Sequence, residues 1–229
     1  MMATTQRRTV MASLCAVALL AVSGCGGGGT TSSASSPATT STTVASSAAS
    51  QTYSSKAFVL PLTVTVDPAL KSPPNPDSHN LLSWDAAASK EKWVRFLVPV
   101  NLYRPGSSVP EAVPKDYLKY LQGQTKDNVE FSDVTKITVD GHPATLMTAT
   151  STLDASHEQG LWDGSLGCPK KYAEQSEGCY GIQPQGIIRL AVIDVGGTTL
   201  LAWARTAKDN PDKAFYAMFE RMLTSVRFR

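Results

Sequence analysis

The sequence predicts an α+β fold, an antiparallel sheet flanked by helices, over residues 57–229. Three features carry that expectation. Two dipeptides, Asp140-Gly141 and Gly196-Gly197, each stand between apolar segments of strand length. Both positions of such a pair tolerate φ > 0, which a two-residue hairpin turn demands. The third is an apolar stripe near the C-terminus, where Phe215, Met218, Phe219, Met222 and Leu223 recur at i, i+3, i+4, i+7 and i+8. That spacing puts them on one helix face, which has to be buried, and the hairpins make the sheet that can bury it.

The elements follow in order. Phe58–Val66 reads as a strand with Pro61 near an edge or start, because proline cannot donate to a ladder. Lys71–Asn80 carries Pro73, Pro74 and Pro76 and reads as a loop. Trp93–Val98 is a strand and Arg104–Pro110 a loop. Pro114 opens a short helix, having no N–H to leave unpaired; Tyr117, Leu118 and Leu121 form its apolar side and Gly123 ends it. The hairpins pair Val134–Val139 with Ala144–Thr150, and Ile187–Val195 with Thr198–Thr206. Arg189, Ala191, Ile193 and Val195 alternate with Leu190, Val192 and Asp194, so both faces of that strand are mostly apolar and a central place in the sheet is expected. Asn210 caps the last helix, Pro211 starts it, and Asp212 suits its positive end. Trp93 and Trp203 fall on strands and read as core. Trp84 and Trp162 fall at less regular places, where an aromatic packs inward or lines a ligand groove.

The N-terminus is of a different kind. Arg7 and Arg8 precede an apolar run, Val10–Val22, of signal-peptide length. It is shorter than the ~20 apolar residues of a membrane-spanning helix. The run ends in Val22-Ser23-Gly24-Cys25, the pattern of a bacterial lipobox: an aliphatic residue, two small residues that let a peptidase grip extended backbone, and the cysteine that takes the diacylglyceryl group. Residues 1–24 are expected to be a signal peptide and Cys25 the lipidated residue. Residues 25–56 are expected to be a disordered tether, since Gly26–Ser55 is dominated by Gly, Ser, Thr and Ala without a single Lys, Arg, Asp or Glu. Some ~30 residues at about 5–6 Å × √n reach roughly 30 Å. Arg7-Arg8-Thr9-Val10-Met11 partly resembles a twin-arginine signal, and the general secretory route is the other reading. Export would hold the domain at the extracytoplasmic face of the cell membrane, in an oxidising compartment.

Cys15 leaves with the signal and Cys25 is taken by lipid, so Cys168 and Cys179 remain for a disulfide. It would close a loop of ~12 residues and contribute about 3 kcal/mol. Their spacing is too wide for a redox Cys-x-x-Cys, and no second close pair completes a zinc site. The bridge falls in an otherwise irregular stretch, Leu153–Gln185, whose His157, Trp162, Tyr172 and Tyr180 make it the candidate recognition surface. The alternative is a solvated flap over the sheet edge.

Other chemistries fit poorly. His157-Glu158 begins like a zinc-protease helix, but Leu161 stands where the second histidine belongs. Asp163-Gly164-Ser165-Leu166-Gly167 lacks the first glycine of a serine-hydrolase elbow, leaving Ser165 with His142 or His157 as a weak hydrolase constellation. No catalytic residue, metal or cofactor is expected. The net charge of +2 equals the contribution of Arg7 and Arg8, so the processed chain is near neutral. That offers no basic surface for nucleic acid.

Val113-Pro114-Lys115-Asp116-Tyr117-Leu118, Asp140-Gly141-His142-Pro143-Ala144, and Leu200-Leu201-Ala202-Trp203 before a terminal helix add to the lipobox and tether. Over most of Phe58–Phe228 this pattern resembles the small actinobacterial cell-envelope lipoproteins of the LpqN type. The resemblance implies the fold of PsbP, the extrinsic protein of the oxygen-evolving complex, in which helices pack on an antiparallel sheet. It brings no catalytic residues, and the Cys168/Cys179 insertion departs from the plain version. It implies an accessory or binding role. The expected function is therefore a lipid-anchored, non-enzymatic envelope module that binds a protein partner or a small amphiphile. An extracytoplasmic hydrolase using the 153–185 loop and a structural surface protein are the alternatives.

Overall fold

A computed structural model describes residues 49–154, 164–171 and 178–229, all within one compact unit, Ser46–Arg229. The expected signal peptide, Cys25 and most of the tether lie outside the described residues, as do His157, Trp162 and Tyr172. The elements are β1 (Gln51–Ser54), β2 (Leu62–Val66), β3 (Leu81–Asp85), β4 (Trp93–Leu97), β5 (Asn101–Tyr103), β6 (Pro110–Ala112), α1 (Tyr117–Gln122), β7 (Val129–Val139), β8 (His142–Ser151), β9 (Gly186–Val195), β10 (Thr198–Ala207), α2 (Lys213–Thr224) and β11 (Arg227–Phe228).

Six strands form an antiparallel sheet in the order β3-β4-β10-β9-β8-β7, and β1-β2-β11 form a second, smaller sheet. The α+β expectation holds. β9 is flanked by β8 and β10, as its two apolar faces require. Along β10, Leu200, Ala202 and Ala204 enter one core, and Leu201 and Trp203 the other. Period-2 alternation thus feeds two cores. On the first face, the α2 stripe packs with Leu62, Val64 and Val66 of the small sheet over Trp84, Phe96 and Ala202. On the second face, Tyr117 and Leu121 of α1 pack with Leu166 and Ile182 over Leu97, Met147, Leu190 and Trp203.

Both hairpin turns have φ > 0 at their two central residues: Asp140 at 50° and Gly141 at 82°, Gly196 at 60° and Gly197 at 87°. Other boundaries differ from expectation. Gln51–Ser54, assigned to the tether, pairs with β2, and the Tyr53 ring meets Trp84 edge-on at 5.7 Å. The folded domain therefore starts about six residues earlier than the composition suggests. Phe58–Pro61 is not strand: Val59 N–H donates to the His79 carbonyl instead of a ladder. Gly123 ends α1 as its C-cap, but without the left-handed turn usual for a capping glycine. It stays helical (φ −64°, ψ −16°), a 3-10 turn follows over Gly123–Asp127, and Asn128 ends it in the left-handed region at φ 63°. The cap of α2 is Asp212, not Asn210: its carboxylate accepts from Phe215 N–H at 3.0 Å, and Pro211 lies before the helix. Trp84 is fully buried, which excludes the groove role considered for it.

Candidate functional site

The disulfide forms between Cys168 and Cys179. The described residues around it do not form a flap over the sheet edge. Cys168 N–H donates to the Asn101 carbonyl (2.8 Å), Val100 N–H to the Cys168 carbonyl (2.9 Å), and Leu166 N–H to the Tyr180 carbonyl (2.8 Å). Leu166 and Ile182 are fully buried, so the described part of the segment lies on the sheet face and contributes core. Gly167 sits at φ 121°, and a Cβ there would come within 2.6 Å of Pro99, so this close approach requires glycine.

Helix α1 is pinned to the same segment by side chains. Tyr117 OH donates to the Leu166 carbonyl (2.7 Å), Tyr120 OH to the Ser165 carbonyl (2.9 Å) and Gln124 Nε2 to the same oxygen (3.1 Å). Burial pushes the Tyr117 hydroxyl well above its ordinary value and the Tyr120 hydroxyl up to about 12.

Beside the disulfide the second face carries a group of arginines and aromatics. Trp93 stands opposite Arg205 across β4 and β10, and Arg95 opposite Trp203. Residues two apart on a strand share a face, so the four side chains form a checkerboard. The Arg95 guanidinium lies 4.6 Å from the Trp93 ring centroid and 4.6 Å from that of Tyr180. Arg205 lies 4.4 Å from Trp93. Tyr180 meets the Trp203 ring at 5.5 Å. The stapled segment thus places Tyr180 on a ladder of alternating cations and rings, each contact worth about 0.5–2 kcal/mol. Arg95 Nε donates to Ser83 Oγ (3.3 Å) and an Arg205 Nη to the Glu91 carbonyl (3.2 Å). Burial lowers the pKa of both guanidiniums, and for Arg95 the neighbouring Arg205 acts in the same direction. A cavity of about 30 Å³ opens among Trp93, Arg95, Tyr180, Trp203 and Arg205. Its chemistry is that of a hydrogen-bond donor site with flat walls and positive charge.

A second opening lies on the same sheet toward the hairpin turns, a groove of about 440 Å³ between Tyr117 and Leu118 on one side and Thr145 and Val192 on the other, with Lys115 and Lys136 lining it.

Of the expected recognition residues, Tyr180 lies in the ladder; the others are outside the described residues. Trp93, expected in the core, is half-buried and stacked between arginines, whereas Trp203 is core as expected. Ser165 is buried under α1 with its hydroxyl against no partner among the described residues. His142 lies edge-on to Phe228 of the small sheet at 5.1 Å, and His79 is exposed in the proline-rich loop. The geometry therefore does not join Ser165 to either of these histidines. The residues the sequence reading missed are Arg95 and Arg205. The signal was there: Trp93-Val94-Arg95 and Trp203-Ala204-Arg205 repeat Trp-x-Arg, the spacing that puts both side chains on one face of a strand. Among the described residues no cluster of three or more His, Cys, Asp or Glu could hold a metal, and no helix is long and apolar enough to cross a membrane.

Fold and site together define an α+β domain with an antiparallel sheet covered on both faces and an arginine–aromatic surface beside a disulfide. No family model and no curated protein matches the chain. Among solved structures it is similar to cyanobacterial PsbP (CyanoP) from Synechocystis sp. PCC 6803, a solution structure, at 9% identity and a TM-score of 0.38, over 73% of this chain and 86% of that one.

Proposed function

We propose that this chain is a lipid-anchored cell-envelope lipoprotein of the LpqN type with a PsbP-like domain. It acts outside the cytoplasmic membrane as a non-enzymatic accessory or binding module for a protein partner or a small amphiphile. The observation that carries the binding role is the ladder. Arg95, Arg205, Trp93 and Tyr180 gather cationic and aromatic groups at one half-buried place, next to a disulfide that restricts the segment presenting Tyr180. Arginine and large aromatics are the residue types that dominate recognition surfaces. The lipobox ending at Cys25 and the uncharged stretch after it support the anchor.

The test is affinity capture from membranes of an export-competent host with the intact protein as bait. A defined partner or co-purified amphiphile should be recovered and should fall at least fivefold with Tyr180→Ala combined with Trp162→Ala. Cys25→Ser should move the protein from the membrane to the soluble fraction. Equal recovery with and without Tyr180 and Trp162 would sink the binding surface. Membrane retention of the Cys25→Ser protein would sink the anchor.

A further inference from the structure

The ladder holds donors with no acceptor. Arg205 Nε and Trp93 Nε1 are both buried and meet none among the described residues. No carboxylate among the described residues lies within ion-pair distance of Arg95 or Arg205. Charge drawn out of water is ordinarily paired, so two half-buried guanidiniums that line one cavity without a carboxylate point to an anionic acceptor that binds there. The backbone is shaped around this arrangement. A Cβ on Gly186 would stand 2.4 Å from Arg205 Nε, so only glycine lets that guanidinium lie where it does.

Size and shape narrow the acceptor. A water-sized atom needs roughly 10–15 Å³ of such space. The cavity, about 30 Å³, holds two. That is the span of the two oxygens of a carboxylate. The walls are planar rings, and a guanidinium fork matches a carboxylate bidentately where an ammonium cannot. We propose that this cavity binds the carboxylate of a small molecule, with Arg205 and Arg95 as the fork and Trp93 and Tyr180 as the walls. The inference names the ligand chemistry of the surface described above and rests on the binding-module reading for its setting. A free short carboxylate and the head of an acyl-chain amphiphile present the same group.

Full-length protein in detergent, labelled with ¹⁵N, is titrated at matched ionic strength with sodium acetate, hexanoate, phosphate or chloride while the Trp93 indole N–H resonance is followed. Acetate and hexanoate should shift it saturably, with phosphate and chloride at least tenfold weaker. Hexanoate at least tenfold tighter than acetate would assign the site to an acyl chain's head, and equal affinities to a free small carboxylate. Arg205→Lys and Gly186→Ala should each weaken acetate at least tenfold. If either fails to fold, Trp93→Phe, which keeps a stacking face, should weaken acetate about threefold, with the Trp203 indole N–H, also at the cavity, as the reporter. No saturable carboxylate shift, or an equal response to phosphate and chloride, overturns the proposal. A captured membrane partner with no carboxylate binding would overturn this inference and leave the module reading intact. Carboxylate binding by a protein found without lipid on Cys25 would do the reverse to the anchor.

Discussion

The two faces of the central sheet are closed by different means. Over the first, a twelve-residue amphipathic helix and a small sheet bring Phe215, Met218, Phe219, Met222 and Leu223 against β3, β4, β9 and β10. That closure is apolar burial on a regular repeat. Over the second, a six-residue helix and an irregular segment are fixed by three side chains donating to two backbone carbonyls, by backbone bridges and by a disulfide. Short helices are marginal alone, so α1 needs those polar anchors where α2 needs only its stripe. The half-buried arginines lie on the second face. Irregular backbone can bring Tyr180 over a charged pair in a way that a helix repeat, committed to contact along its length, does not.

The sharpest way to break the first closure is Phe219→Ala, which empties a fully buried site and should cost about 3–5 kcal/mol in chemical denaturation. The ¹⁵N signals of Trp93 and Trp203 should keep their folded positions under native conditions. Next, Cys168→Ser with Cys179→Ser should cost roughly 2–4 kcal/mol, and should also disturb those two indole signals. Unchanged signals would mean that the bridge does not position Tyr180. Removing the α2 cap with Asp212→Ala should cost about 1 kcal/mol. Asp212 is held below the usual carboxylate range first by the hydrogen bond from Lys92, then by Phe215 N–H. Because its folded pKa is lowered, the stability it contributes is present at neutral pH and is lost as pH falls through that folded value.

The smallest effect should be Tyr120→Phe, about 1 kcal/mol for one hydrogen bond. It carries a distinctive pH signature. A raised hydroxyl pKa contributes stability fully below pH 10, and that contribution is lost as pH rises through about 12. Unfolding midpoints measured from pH 9 to 12 should fall less steeply in the variant. Parallel curves would detach Tyr120 from the closure of the second face.

What could be read from the sequence follows the same division. Regular periods were legible: the α2 stripe, β4, and both hairpins with their turns. The even pair of cysteines was legible because the other two were accounted for. β3 was not, since Leu81-Leu82-Ser83-Trp84-Asp85 is too short to show alternation and four of its five residues are buried. β1 was missed because Gln51-Thr52-Tyr53-Ser54 has the composition of the tract before it, and only tertiary pairing with β2 distinguishes it. The ladder was missed for another reason. A strand tryptophan reads as core, and the Trp-x-Arg repeat acquires meaning only once β4 and β10 are known to be neighbours in register.

The small sheet has a topological consequence. β1 and β11 flank β2 on its two sides, and Arg229 N–H donates to the Pro61 carbonyl while its guanidinium donates to Ser54 Oγ (2.9 Å both). The first and last strands of the domain are therefore two inter-strand spacings apart, about 10 Å, and offset by a few residues along β2. A linker of about eight residues from Arg229 to Ala49 would span that gap. The chain could then be reopened at Gly196-Gly197, giving a circular permutant in which β9 and β10 become the ends and every strand keeps its neighbours.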